Sequence, residues 1–328
     1  MLSMMSAYKH LLTGREERIK MNNLHIGKRP RVRQSDRKIR TQIFPYLLIA
    51  PVAVYLLTVL CGPLIYGIWT SFTNKAIGMA PKFVGLDNYI RLWSNGEFIL
   101  AAKNTLLYTV FTVGLKVILG MIMALLLNAP LRFINTMRGV MLIPWAVPTV
   151  VTVIVWKWMF SDVGGVLNAI LMGTGLMDTK VAWLSTPLMA FVSVVIVNVW
   201  RGTPFIGMSV LSGLQSVSTD MYEAARIDGT NGWQEFLYIT LPSIKDVLML
   251  STLVTTIWTF SDFEIIWLLT KGGPINATQV ISTLSYSLGI QRMNTGQAMA
   301  VSIMFMPILI IMVNMVTART FGKKGEEE

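Results

Sequence analysis

The 328 residues are 53% hydrophobic and only 14% charged, with a mean hydropathy of +0.57 and a formal net charge of +11. Soluble domains carry about 25% charged residues, so this balance excludes an ordinary soluble globule and points to a chain that spans a bilayer. Cys61 is the only cysteine and His10 and His25 the only histidines, which excludes an internal disulfide and any transition-metal ligand set.

The chain opens on a basic arm, 1–43, carrying Lys9, Arg15, Arg18, Lys20, Lys28, Arg29, Arg31, Arg33, Arg37, Lys38 and Arg40. Residues 7–19 are compatible with a helix on the membrane surface or with a solvated tail. The run Lys28-Arg29-Pro30-Arg31-Val32-Arg33 resembles a nucleic-acid patch. Directly before an apolar span it reads instead as a topology determinant and a ligand for anionic headgroups of the lipid bilayer, so no nucleic acid is expected. The apolar stretch that follows is too long, and starts too late, for a cleaved signal peptide and reads as an uncleaved anchor.

Six apolar runs of roughly 20 residues, enough to cross about 30 Å of hydrocarbon, fall at 44–70, 105–128, 139–160, 187–211, 247–270 and 297–318. The expected fold is an all-α membrane protein of six transmembrane helices, 44–321, followed by a short tail, 322–328. Lys and Arg crowd the arm and return at Arg319, Lys323 and Lys324, which places both termini, and with them the loop 218–242, in the cytoplasm.

Three segments then face the other side. The first, 71–104, contains Phe83-Val84-Gly85-Leu86-Asp87-Asn88-Tyr89; the second, 161–186, is glycine-rich around a short apolar helix at 166–172; the third, 271–296, opens on the turn signal Gly272-Gly273-Pro274. Prolines interrupt several spans: Pro51, Pro63, Pro144, Pro148, Pro204 and Pro307. Each removes a backbone hydrogen bond and bends its helix unless neighbours compensate. Pro144 and Pro148 share one face of the third span, and broken helices of this kind suit a cavity whose access alternates.

The loop 218–242 is the most informative stretch. Asp220 followed by Glu223 reads as an N-cap with its reciprocal carboxylate, starting a helix near Met221. Gly229 supplies the left-handed residue that ends it. Asn231 with Gln234 reads as a second capping box, and Leu241, before Pro242, is biased to extended geometry and should close a second short helix. Helices of about two turns are marginal alone and need a surface to dock on; Ala224 and Ala225 give the first one a smooth face.

Glu223, Ala224, Ala225, Gly229, Ile239, Leu241 and Pro242 match at the expected spacing the signature loop of membrane subunits of binding-protein-dependent ABC importers. Phe83 to Tyr89, Trp200-Arg201-Gly202-Thr203-Pro204-Phe205, and Leu269-Thr270-Lys271-Gly272-Gly273-Pro274 with Thr278 resemble motifs of the carbohydrate-importing branch. The resemblance covers about 44–321 and is nearest to the larger membrane subunit of maltose-type transporters, without a large external domain. It implies the type I importer architecture, a second homologous permease subunit, two ATPase subunits carrying ATP and Mg, an extracytoplasmic solute-binding protein, a carbohydrate substrate and a bacterial inner membrane. Glu223 would contact a basic residue of the ATPase, or act as a simple cap partner; Ala224, Ala225, Asp228, Gly229, Ile239, Leu241 and Pro242 would shape the docking loop.

No phosphate loop and no Ser-His-Asp or Cys-His set occurs, so energy must come from a partner or from an ion gradient. A gradient-driven secondary transporter is the alternative, for which internal repeats and midplane acids would be the signs. Asp262 and Glu264 are the acids placed within a span, toward its outer half. Sugar cavities are lined by aromatic faces and a few polar groups, which selects Trp145, Asn198, Trp200, Arg201, Trp258, Asp262 and Asn314. Trp156, Trp158 and Trp267 read as interfacial anchors, and the 22 methionines as packing at mobile contacts. Lys116 sits mid-span, where a lysine costs about 2.5–3.5 kcal/mol. It therefore pairs with Asp262 or Glu264, or joins Arg201 in a basic lining that accepts an acidic oligosaccharide.

Overall fold

The computed structural model describes residues 34–130 and 132–321. The arm up to residue 33 and the tail 322–328, including the surface-helix reading of 7–19, lie outside the described residues. The chain divides into two units, Met1–Ile65 and Tyr66–Glu328. Helix α1, Gln34–Ser71, runs through the boundary and starts ten residues before the expected span. In the first unit it presents exposed apolar side chains such as Tyr46, Leu48, Val52 and Leu60, the pattern of a helix solvated by hydrocarbon rather than water.

The second unit is helical, and an isolated bridge between Thr73 and Phe83 is the β pairing among the described residues. Its elements are α2 Asp87–Trp93, α3 Gly96–Asn128, α4 Ile134–Ala146, α5 Thr149–Met159, α6 Val166–Gly173, α7 Pro187–Gln215, α8 Thr219–Ile227, α9 Gly232–Glu235, α10 Leu241–Phe260, α11 Glu264–Leu269, α12 Ile281–Tyr286 and α13 Thr295–Phe321. Among the described residues five helical segments are long and apolar enough to cross a membrane, and six if α4 and α5 count as one broken span. That agrees with the six expected runs and corrects the third. The prolines do more than kink it: α4 and α5 meet at 91°, with Val147 extended and Pro148 starting the second half.

The centre of the bundle is α3 against α7, with α10 on both. They come close because Gly120 of α3 lies under Ile206 of α7, where an added Cβ would stand 2.6 Å from Cγ2 and 2.8 Å from Cβ. Around that crossing Ala124, Leu127, Ile206, Val210, Leu214 and Ile244 form one buried cluster. A second joins Val153, Phe160, Val194, Val197, Ile265 and Ile266, and a third joins Phe98, Phe260, Leu284, Val301 and Phe305. The end of the bundle away from the 218–242 loop is pinned by polar contacts. Arg292 Nη2 lies 2.6 Å from Glu97 Oε1, Gln279 Nε2 donates to the same oxygen, and Asn104 Nδ2 donates to the carbonyls of Asn276 and Gln279.

The fifth span departs from its expected bounds. It is one helix from Gly232 to Phe260, so Leu241 is helical (φ −63°, ψ −43°) and does not close a short helix. Pro242 is accommodated because a π-helical turn, Phe236–Thr240, precedes it, with Leu241 N–H bonded to Phe236 O. A wider turn at this point absorbs the proline ring and its missing donor. At the other end the helix stops at Phe260, and Ser261, Asp262 and Phe263 form a break before α11. Asp262 and Glu264 therefore sit at the end of the span and not within it.

Candidate functional site

A cavity of about 250 Å³ lies where α3, α7, α10 and the break before α11 meet the bend between α4 and α5; its walls carry Lys116, Trp145, Thr149, Asn198, Arg201, Gly202, Phe205, Thr255, Trp258, Thr259, Ser261, Asp262, Phe263, Glu264 and Ile265. Asn198, Arg201, Gly202 and Phe205 are spaced i, i+3, i+4, i+7, one face of α7. Thr255, Trp258 and Thr259 are one face of α10 for the same reason. Trp145 and Thr149 flank the bend.

Six of the eight residues expected to line a substrate path are brought together here. Trp200 is not: one residue turns a helix by about 100°, so its ring meets Trp156 edge-on at 5.7 Å and faces an apolar groove with Val195, Ile196 and Pro204. Asn314 is exposed on α13 outside the cavity. Of the three tryptophans read as anchors, Trp158 is 60% exposed; Trp156 packs on the core around Phe160, and Trp267 stacks on Phe263.

The polar groups are organised in two sets. Asp262 Oδ2 accepts from Tyr108 Oη (2.7 Å) and Asn198 Nδ2 (2.6 Å), and the Asp262 carbonyl accepts from Ser282 Oγ. Lys116 Nζ donates to Thr259 Oγ1 at 3.0 Å. The expected ion pair of Lys116 with Asp262 or Glu264 is absent among the described residues. The carboxylate is instead satisfied by neutral donors, and the lysine stem lies along Gly202, whose added Cβ would stand 2.4 Å from Cε. Asn198 Oδ1 and Arg201 Nε are buried with no hydrogen-bond partner among the described residues. Thr255, Thr259 and Gly202 escaped the sequence reading; their signal was the i, i+3/i+4 register with the polar residues already chosen.

The second feature is the loop. The cap of helix α8 lies two residues before the expected one: Ser218 Oγ accepts from Asp220 N–H, and Asp220 lies in the first turn. Glu223 is exposed and makes no side-chain hydrogen bond among the described residues, so the cap-partner role is not realised. Gly229 ends the turn at φ +84°, and the Asn231–Gln234 capping box forms with both bonds at 2.9 Å. Arg226 bonds Glu235 across the turn at 2.9 Å, which holds its guanidinium above the ordinary value, and Tyr222 Oη meets Thr240 Oγ1 at 3.0 Å. These ties fix an otherwise exposed loop on the first turns of the fifth span. Glu223, Ala224 and Asp228 are exposed on it, with Ile227 at 87% and Trp233 at 69%, while Ala225, Ile239 and Leu241 are half-buried and Pro242 is exposed. A rigid loop with bare apolar tips is the character of a surface that awaits a partner.

Residues 116–321 match the model of the family described as "Binding-protein-dependent transport system inner membrane component". The chain is 39% identical over 254 residues, 77% of its own length and 85% of the relative's, to the trehalose/maltose transport system permease protein MalF of Thermococcus litoralis. It is 32% identical over 247 residues, 74% of its length and 82% of the relative's, to the lactose transport system permease protein LacF of Rhizobium radiobacter. In fold it matches a chain of a bacterial ABC transporter involved in the import of the acidic polysaccharide alginate, with a TM-score of 0.76 at 24% identity over 88% of this chain and 98% of that one.

Proposed function

The chain belongs to the binding-protein-dependent transport system inner membrane components, and we propose from that premise that it is one permease subunit of an ATP-driven importer that moves a carbohydrate. The observation that carries the reading is the cavity: aromatic faces from Trp145, Phe205, Trp258 and Phe263 around hydroxyl and amide groups, with Asn198 Oδ1 and Arg201 Nε left unpaired. Sugar hydroxyls, which both donate and accept, would pair with the hydroxyl and amide groups of this wall, and sugar rings would lie against its aromatic faces. Relatives named for trehalose/maltose and lactose support that class of substrate.

The cavity is smaller than the ~300–1,000 Å³ typical of small-molecule sites. That supports a second, homologous permease closing the other side. The loop 218–242 is read as the docking segment for one of two ATPase subunits, with Glu223, Ala224, Ala225, Asp228 and Gly229 at the contact and Ile239, Leu241 and Pro242 setting its exit. The basic flanks of the spans support a cytoplasmic position for it and for both termini, with a solute-binding protein delivering substrate on the opposite face. The chemistry of ATP and Mg belongs to the ATPase subunits in this reading.

An acidic substrate is a second reading. It is favoured by one observation: Lys116 bonds a hydroxyl and Arg201 has no carboxylate within 4.0 Å among the described residues, so neither cation of the lining is neutralised by an ion pair. Asp262 and Glu264 share the cavity and weigh against it.

The assembly is tested by purifying the tagged chain from its native membrane with and without Ala224→Trp. The second permease should copurify in both cases and the ATPase only without the substitution. Retention of the ATPase by Ala224→Trp would remove the docking role of this helix.

A further inference from the structure

Arg138 has a position that neither the cavity nor the docking loop explains. It lies one turn into α4, on the end of the bundle where the 218–242 loop emerges. Its Nη2 donates to the carbonyl of Leu127, in the last turn of α3, at 3.0 Å. With the amide of Gln215, the last residue of α7, turned so that its oxygen faces the guanidinium, that oxygen accepts from Nη2 at 2.9 Å and from Nη1 at 3.3 Å. One guanidinium therefore bridges the C-terminal ends of two long helices, where unpaired carbonyls and the helix dipole favour a cation. Its planar fork fixes the direction of these bonds, which the freely rotating ammonium of a lysine does not.

The bridge matters because α4 buries none of its own side chains. Packing alone holds it weakly, so the polar clamp carries much of its placement. The two halves of the broken span also belong to different neighbours: α4 packs on α7 and α3, while α5 packs chiefly on α11. They meet at Val147 and Pro148, and the residues on either side of that joint, Trp145 and Thr149, both line the cavity. Helices α3 and α7 are locked to one another at Gly120 and Ile206, and Gln215 is three residues before the Ser218 cap of the docking helix.

We propose that Arg138 is a positioning residue that ties α4 to the ends of α3 and α7, so that a displacement of the docking loop is carried to the cavity wall at Trp145 through the joint at Pro148. A rigid strut is needed there, because a joint with one loose arm transmits nothing. The inference rests on the importer reading.

The test uses the complete transporter in proteoliposomes: wild type, Arg138→Lys, Arg138→Met, Gln215→Leu and the Arg138→Met/Gln215→Leu pair. The readouts are the amount of assembled complex, its Tm, and the ATP hydrolysed per substrate imported. Arg138→Met should raise that ratio roughly fivefold or more, the scale of an allosteric coupling. Arg138→Lys should fall between Arg138→Met and wild type, and the pair should be no worse than the worse single variant. Spin labels at the exposed Val140 and Ser212, in a Cys61→Ser background, give a direct view. Wild type should hold one narrow distance with and without vanadate-trapped ATP, and Arg138→Met should broaden it. Should Arg138→Met not assemble, Gln215→Leu, at an exposed position, carries the same expectation. An unchanged ratio of ATP to substrate in the variants that assemble, or losses that track only the amount of complex, would overturn the proposal. Absence of ATP-driven import by the wild type would instead overturn the importer reading beneath it.

Discussion

Two alanine substitutions on the same helix pair should have opposite consequences, although each adds one methyl group to a glycine. At Gly120 the new Cβ would stand 2.6 Å from Ile206 Cγ2, 2.8 Å from Ile206 Cβ and 3.1 Å from the backbone nitrogen of Gly207. A β-branched side chain has little rotamer freedom in a helix and the backbone has none to give, so α3 and α7 must part, at a cost of about 1–3 kcal/mol. At Gly202 the new Cβ would stand 2.4 Å from Lys116 Cε and 2.7 Å from Nζ. That neighbour is the far end of a flexible chain, which can retreat the ~1 Å needed to reach an ordinary carbon contact of about 3.5 Å. In doing so it exchanges the 3.0 Å bond to Thr259 for other polar partners of the cavity, at little net cost in stability, and it leaves its place in the lining. Thermal unfolding of the purified complex and substrate uptake separate the two effects. Gly120→Ala should lower Tm, whereas Gly202→Ala should keep Tm near wild type and reduce uptake to the level of Lys116→Met. Equal losses of Tm in both variants, or wild-type uptake by Gly202→Ala beside an inactive Lys116→Met, would refute the reasoning.

Three further outcomes are expected. A Cβ on Gly229 meets nothing within 4 Å, so the cost of substitution is its left-handed backbone alone, about 1–2 kcal/mol for most residues and less for Asn. Substrate-stimulated ATP hydrolysis should therefore fall in the order Gly, Asn, Ala, Val, and full stimulation of Gly229→Val would exclude a shape requirement. Tyr108→Phe leaves the Asp262 carboxylate with Asn198 as its remaining side-chain donor, which should lower Tm, and adding Asp262→Asn should recover part of the loss; equal Tm in the single and double variants would dismiss the network. If the cations of the lining select an acidic ligand, the wild-type transporter should import uronate oligosaccharides, and Lys116→Met should impair these more than neutral ones. Import restricted to neutral sugars, or equal impairment of both classes, would end that reading.

The spans were legible because an apolar run of about 20 residues has few other uses, and the Asn231–Gln234 box and Gly229 were legible because caps and turns are written in local chemistry. The cavity was partly legible for the same reason that Trp200 was misplaced: residues of one face repeat every three to four positions, so Asn198, Arg201 and Phe205 share a wall and their neighbour in sequence does not. Thr255, Thr259 and Gly202 are unremarkable within apolar helices, and their part emerges only when Lys116 is seen to lie on the glycine and donate to the hydroxyl. The ion pair expected of Lys116 did not form because Tyr108 and Asn198, 90 positions apart in the chain, meet on Asp262 first. The continuation of the fifth span through Pro242 was hidden because a π-helical turn depends on a six-residue backbone closure that leaves no composition signature.

Uptake of labelled oligosaccharide into proteoliposomes tests the central claim most directly. Vesicles holding this chain with its partner permease and ATPase should accumulate substrate only when ATP is inside and the loaded binding protein outside, and Arg201→Ala should reduce that accumulation. Uptake by vesicles holding this chain alone, driven by a proton or sodium gradient without ATP, would contradict the account and favour a secondary transporter.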